Sequence, residues 1–173
     1  MYQQFNRYKI LREFFDEPNK KFHLRELSRL TNISLPSVKK HIQELLKQNL
    51  IQEKKEGIYI GYKSSFNTTY RVLKRNDFLV RLQQSGLIEE LEKTCTPNCI
   101  VLYGSAVEGT DDERGDIDIF VQSNKKNIEL VKYEILLNRK ISILFEPDLN
   151  NINKNFKNSL ANGIVLSGFL KVI

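Results

Sequence analysis

The chain has 173 residues, 40% of them hydrophobic and 28% charged, and a formal net charge of +6. That length holds one medium domain or two small ones, and the ordinary apolar fraction argues against disorder as the default. No apolar run approaches the ~20 residues of a membrane span, and the N-terminal stretch lacks the apolar core of a signal peptide. Cys95 and Cys99 are too few for a disulfide framework or a zinc site, so free, buried or incidental thiols are expected. The expectation is a cytoplasmic protein with no membrane partner.

Charge divides along the chain. Residues 1–75 hold 16 Lys and Arg against 7 Asp and Glu, a balance of +9; residues 76–173 hold 11 against 14, a balance of −3. A basic half beside an acidic half suggests two modules, one of which favours a polyanion.

Helical spacing of apolar residues appears three times before residue 50. The first stretch carries Tyr8, Leu11, Phe14 and Phe15 and stops at Asp16-Glu17-Pro18-Asn19; the second carries Leu24, Leu27 and Leu30 and stops at Thr31-Asn32. The third opens at Ser34 as N-cap, has Pro36 in its first turn, and runs an apolar stripe through Leu35, Val38, Ile42 and Leu45. Two helices joined by about four residues form a helix-turn-helix. Ser37, Lys40, Gln43, Glu44 and Lys47 lie opposite the stripe, with Lys39 and His41 at its flanks, so that face offers donors to phosphates and base edges. Residues 50–62 then read as two strands around a Glu-Gly turn, a wing with Lys54 and Lys55 near its tip. His41 and His23 have no carboxylate cluster that would make them metal ligands. DNA is the expected partner of this half. The order of elements resembles the winged helix-turn-helix domains common in archaeal transcription regulators, with Asn67–Lys74 similar to the element that follows the wing there.

From Asn76 to Lys93 the pattern is helical again, broken at Ser85-Gly86, and the domain boundary is placed near residue 75, giving domains 1–75 and 76–173. Cys99–Tyr103 reads as a buried strand that ends in Gly104-Ser105, a turn able to present backbone N–H groups and a hydroxyl to a phosphate. Asp116-Ile117-Asp118-Ile119-Phe120-Val121 reads as a second strand whose two carboxylates share a face. Side by side they repel unless a cation sits between them, and Mg²⁺ (or Mn²⁺) with substrate phosphates is the expected guest. A helix over 128–138 and a strand over 140–145 follow. Asp111-Asp112-Glu113 is expected to be a solvated loop, and Asn150–Asn162 an Asn-rich surface patch.

Gly104-Ser105, Gly109 and Asp116-x-Asp118 together resemble the signature of the polymerase-β-type nucleotidyltransferase superfamily, and the spacing resembles its small minimal members, over roughly residues 86–173. The resemblance implies that Ser105 contacts nucleotide phosphate, that Gly104 and Gly109 permit close backbone approach, and that Asp116 and Asp118 are the catalytic metal ligands. Two positions depart from the family. Glu108 stands where a basic residue often precedes the second glycine, and Ser142 stands at the position matching the third carboxylate. Glu146 shares the face of Ser142 but sits ~13 Å further along an extended strand.

The fold expected is α/β (α+β): a winged helix-turn-helix followed by a nucleotidyltransferase-type domain, a short mixed sheet with flanking helices on one face. The leading functional expectation is Mg²⁺-dependent transfer of a nucleotidyl group from a nucleoside triphosphate to an unknown acceptor, in a protein that also binds DNA. One alternative is a non-enzymatic transcription regulator whose degenerate transferase domain senses or dimerises. Another is an antitoxin that nucleotidylates a partner toxin. A protein acceptor and a homodimer complete the expected partners.

Overall fold

Apolar residues three and four apart wind the first part of the chain into three helices, α1 (Asn6–Asp16), α2 (Leu24–Thr31) and α3 (Leu35–Lys47). The computed structural model describes residues 5–56 and 59–171. Contacts divide the chain into two units, Met1–Lys74 and Arg75–Ile173.

In the first unit α2 stops at Asn32, whose φ of 54° turns the chain toward α3. Ser34 stands at the N-cap of α3, but its hydroxyl makes no capping hydrogen bond, against the expectation. Strands β1 (Ile51–Glu56) and β2 (Tyr59–Ser64) pair antiparallel, Ile51 opposite Ser64 and Glu56 opposite Tyr59; Gly57 of the expected turn, and Ile58, lie outside the described residues. Phe22 exchanges both backbone hydrogen bonds with Tyr62, which ties the stretch before α2 to the wing. Phe14, Phe22, Leu27, Val38 and Ile42 are wholly excluded from solvent, each worth ~1.5–3 kcal/mol of burial. The Tyr70 hydroxyl donates to the Phe14 carbonyl at 2.5 Å in the same core. Two leucines of the expected stripes fall outside it: Leu30 is 50% and Leu35 40% exposed.

Helix α4 (Thr68–Gln84) starts earlier than the expected Asn76, and Ser85-Gly86 separates it from α5 (Leu87–Cys95). The second unit then builds a four-stranded sheet from β3 (Cys99–Tyr103), β4 (Ile117–Val121), β5 (Ile141–Phe145) and β6 (Ile164–Gly168). Its order is β5-β4-β3-β6; β4 and β5 run parallel and the other pairs antiparallel. The parallel pair needs a crossover, and α7 (Val131–Leu137) supplies it. The remaining helices are the single turn α6 (Ser105–Glu108) and α8 (Lys154–Ala161).

Strand alternation sorts side chains between two faces. Ile100, Leu102, Ile117, Ile119 and Val121 pack with Phe78, Leu82, α5 and α7 on one. Cys99, Val101 and Phe120 pack with Leu149, Phe156 and Leu160 on the other, so α8 covers part of a face expected to be bare. Among the described residues no helix is long and apolar enough to cross a membrane.

Candidate functional site

Asp118 belongs to the α8 side of the sheet, since its neighbours Ile117 and Ile119 both point into the opposite core. It is registered against Tyr103 of β3 on one side and Ser142 of β5 on the other. Tyr103 is followed by Gly104, with φ 79° and ψ −164°, a conformation open in practice to glycine alone. A Cβ at Gly104 would collide with the Asp118 carboxylate, so glycine is required twice over. The turn brings Ser105 next to that carboxylate's strand, and Gly109, also left-handed at φ 67°, ends α6.

Asp116 lies one residue before β4 and is exposed, whereas Asp118 is partly buried. Burial, then the neighbouring charge of Asp116, push the Asp118 carboxyl above the usual carboxylate range, and Arg139 partly offsets them. Burial and then the Asp118 charge likewise raise the Tyr103 phenol. Among the described residues neither aspartate carboxylate has a hydrogen bond or ion pair of its own. Two carboxylates within each other's field repel, and a divalent cation held by both would relieve that repulsion. Among the described residues no group of three or more His, Cys, Asp and Glu is gathered for a metal. Ser142 is exposed on the Asp118 face, and Glu146 is committed elsewhere, accepting from the Asp148 backbone at 3.0 Å and from Asn151 at 3.1 Å.

The loop before β4 is held by a residue that the sequence did not single out. Arg139 donates from Nε to the Gly115 carbonyl at 2.8 Å and from Nη2 to the Asp116 carbonyl at 3.1 Å. Its Nη1 meets Asp111 Oδ2 at 2.6 Å, and its guanidinium lies 5.4 Å from the Phe78 ring centroid. Asp111 is only 7% exposed, which corrects the expectation of a solvated acidic loop; Asp112 and Glu113 are exposed.

Beside the Gly-Ser turn is a cavity of about 550 Å³ lined by Gly104, Ser105, Glu108, Thr110, Asn158 and Asn162, among others. The asparagines of the Asn-rich stretch are exposed, as expected of a surface patch, and two of them, Asn158 and Asn162, line this cavity.

Residues 86–170 match the family described as Polymerase beta, Nucleotidyltransferase, and residues 6–52 match the winged helix-turn-helix DNA-binding family. The chain joins these two domains. No curated protein and no solved structure matches it.

On the winged helix, Lys39, Lys40, Gln43 and Lys47 are exposed along α3, and Ser37 is half-buried. Val38, Ile42 and Leu45 on the reverse are 0–1% exposed, so the polar face is free of packing duties. His41 holds Glu44 at 3.1 Å, and this contact, first of all, draws the Glu44 carboxyl below its ordinary range. The His23 ring contacts the Ile60 carbonyl at 2.9 Å. Lys54 and Lys55 are exposed on β1, opposite Gly61 and Ile60. In the nucleotidyltransferase domain both thiols are free and buried, and burial raises each above its usual range.

Proposed function

We propose that this protein binds DNA through α3 and its wing and binds a nucleoside triphosphate, with a divalent cation, at the Gly-Ser turn and the two aspartates. The single observation that supports the second half is the fit of Gly104 against Asp118, which sets one of the two carboxylates against the Gly-Ser turn. Ser105, exposed at the turn, would donate its hydroxyl to a phosphate oxygen, while Gly104 and Gly109 leave room for the backbone to approach. Mg²⁺ or Mn²⁺ held by Asp116 and Asp118 would neutralise the charge of the triphosphate. The reaction is attack of an acceptor hydroxyl on the α-phosphorus, which transfers the nucleotidyl group and releases pyrophosphate.

A second reading is favoured by Ser142. Its register against Asp118 puts a hydroxyl where the family's third carboxylate would stand, and Glu146, further along β5, accepts through Oε1 from Asp148 and Asn151 of its own turn. A nucleotide-binding regulator that does not turn over fits this arrangement.

Isothermal titration of each triphosphate with Mg²⁺, beside an Asp116→Ala/Asp118→Ala double variant, tests the site. Metal-dependent binding that the double variant loses supports it; no binding by any triphosphate sinks it. Pyrophosphate release from the bound triphosphate then separates the transferase from the regulator.

A further inference from the structure

The cavity beside the Gly-Ser turn has an unusual chemistry for a domain that handles phosphates. Among the described residues Glu108 lines it, and no Lys, Arg or His does. Away from the Gly104-Ser105 edge, a phosphate placed beside Glu108 would meet a carboxylate with no cationic side chain among the lining residues to balance it. Among the described residues Val107 is its only sizeable apolar lining residue and no aromatic side chain lines it, so a nucleobase would find no ring there to stack on.

What the cavity does offer is hydrogen bonding. Among the described residues the Ser105 hydroxyl, the Glu108 carboxylate and the Asn158 carboxamide have no hydrogen-bond or ion-pair partner, and all three residues are exposed. Asn162 spends one amide N–H on the Asn158 carbonyl at 2.8 Å, which leaves its other N–H and its oxygen available. A carboxylate can accept from two neighbouring hydroxyls at once, and carboxamides both donate and accept; acidic residues read ribose hydroxyls in this way in other nucleotide sites. The volume, about 550 Å³, suits a small ligand.

We propose that this cavity is a sugar subsite, in which Glu108 accepts from a vicinal diol and Asn158 and Asn162 bind the flanking oxygens. The inference rests on the nucleotide reading above and adds to it the group that Glu108 selects. The sugar has two sources, the ribose of the triphosphate or a sugar-bearing acceptor, and the experiment separates them.

In the first arm ATP and 2′-deoxyATP are titrated with Mg²⁺ into the wild-type chain and into Glu108→Gln and Asn158→Ala variants, with thermal melting as a check on folding. A ribose occupant gives a preference for ATP of roughly tenfold or more, lost in Glu108→Gln, as expected for a hydrogen bond to a charged group. In the second arm ribose, glucose and glucosamine are titrated into the protein with and without ATP. Sugar binding that Glu108→Gln weakens, without ribo over deoxy preference, assigns the cavity to the acceptor. Equal binding of ATP and 2′-deoxyATP together with no sugar binding overturns the proposal. If no triphosphate binds, the nucleotide reading falls, while the sugar arm still decides the cavity by itself.

Discussion

The two units present their working residues on unlike foundations. On α3 the cations Lys39, Lys40 and Lys47 point away from a continuous apolar stripe, and nothing in the core depends on them. Around Asp118 the site is made of the same parts that hold the chain in place: a glycine in a conformation open to no other residue, a loop pinned by Arg139, and a buried Asp111. The proposed DNA contacts are therefore separable from folding in the first unit, and the proposed nucleotide contacts are entangled with it in the second.

Arg139→Met breaks this comparison hardest. It removes the Arg139 ion pair to Asp111, which is 7% exposed, and frees the Gly115 and Asp116 carbonyls, at a cost of about 3 kcal/mol by denaturant unfolding. A loss under 1 kcal/mol would show that the loop holds itself. Gly104→Ala comes next, about 1–3 kcal/mol from backbone strain, with loss of metal-dependent nucleotide binding from displacement of Asp118.

Asp118→Asn goes the other way. Because its folded pKa is raised, the native state holds the proton more tightly than the unfolded chain. The stabilising contribution is thus complete below the ordinary aspartate range and is lost as pH rises through the elevated folded value. At neutral pH the charged form is strained, and removing it should raise Tm by a few degrees and flatten the stability profile in that window. Millimolar Mg²⁺ should raise the Tm of the wild type and not that of the variant; an equal rise in both would place the cation elsewhere.

The smallest stability effect belongs to α3. Lys40→Ala and Lys47→Ala should change stability by no more than ~0.5 kcal/mol. Each should lower DNA affinity and reduce the salt slope by about one for a phosphate contact. Unchanged affinity and slope in both variants would remove α3 from the DNA interface.

The same contrast explains what could be read in advance. Helix α3 was legible because burial imposes a 3.6-residue period, and Val38, Ile42 and Leu45 obey it. Gly104-Ser105 was legible because a buried apolar run that stops abruptly at Gly-Ser is itself a backbone signal. Asp111 was not, because its partner lies 28 residues away and its neighbours Asp112 and Glu113 are solvated. Asn158 was not, because a polar residue beside a cavity has the same local sequence as one in open water. Ser142 is picked out by the family resemblance, as the position matching the third carboxylate, and pairing with Asp118 gives it a definite address.

Cys95 is packed in the layer with α5 and α7, and Cys99 in the layer with α8. Each native thiol thus reports from a different side of the sheet, and burial suppresses thiolate formation at both. Alkylation must wait for its own layer to open. Labelling rates followed residue by residue would reveal whether the α8 side breathes independently of the main core, with no foreign probe introduced.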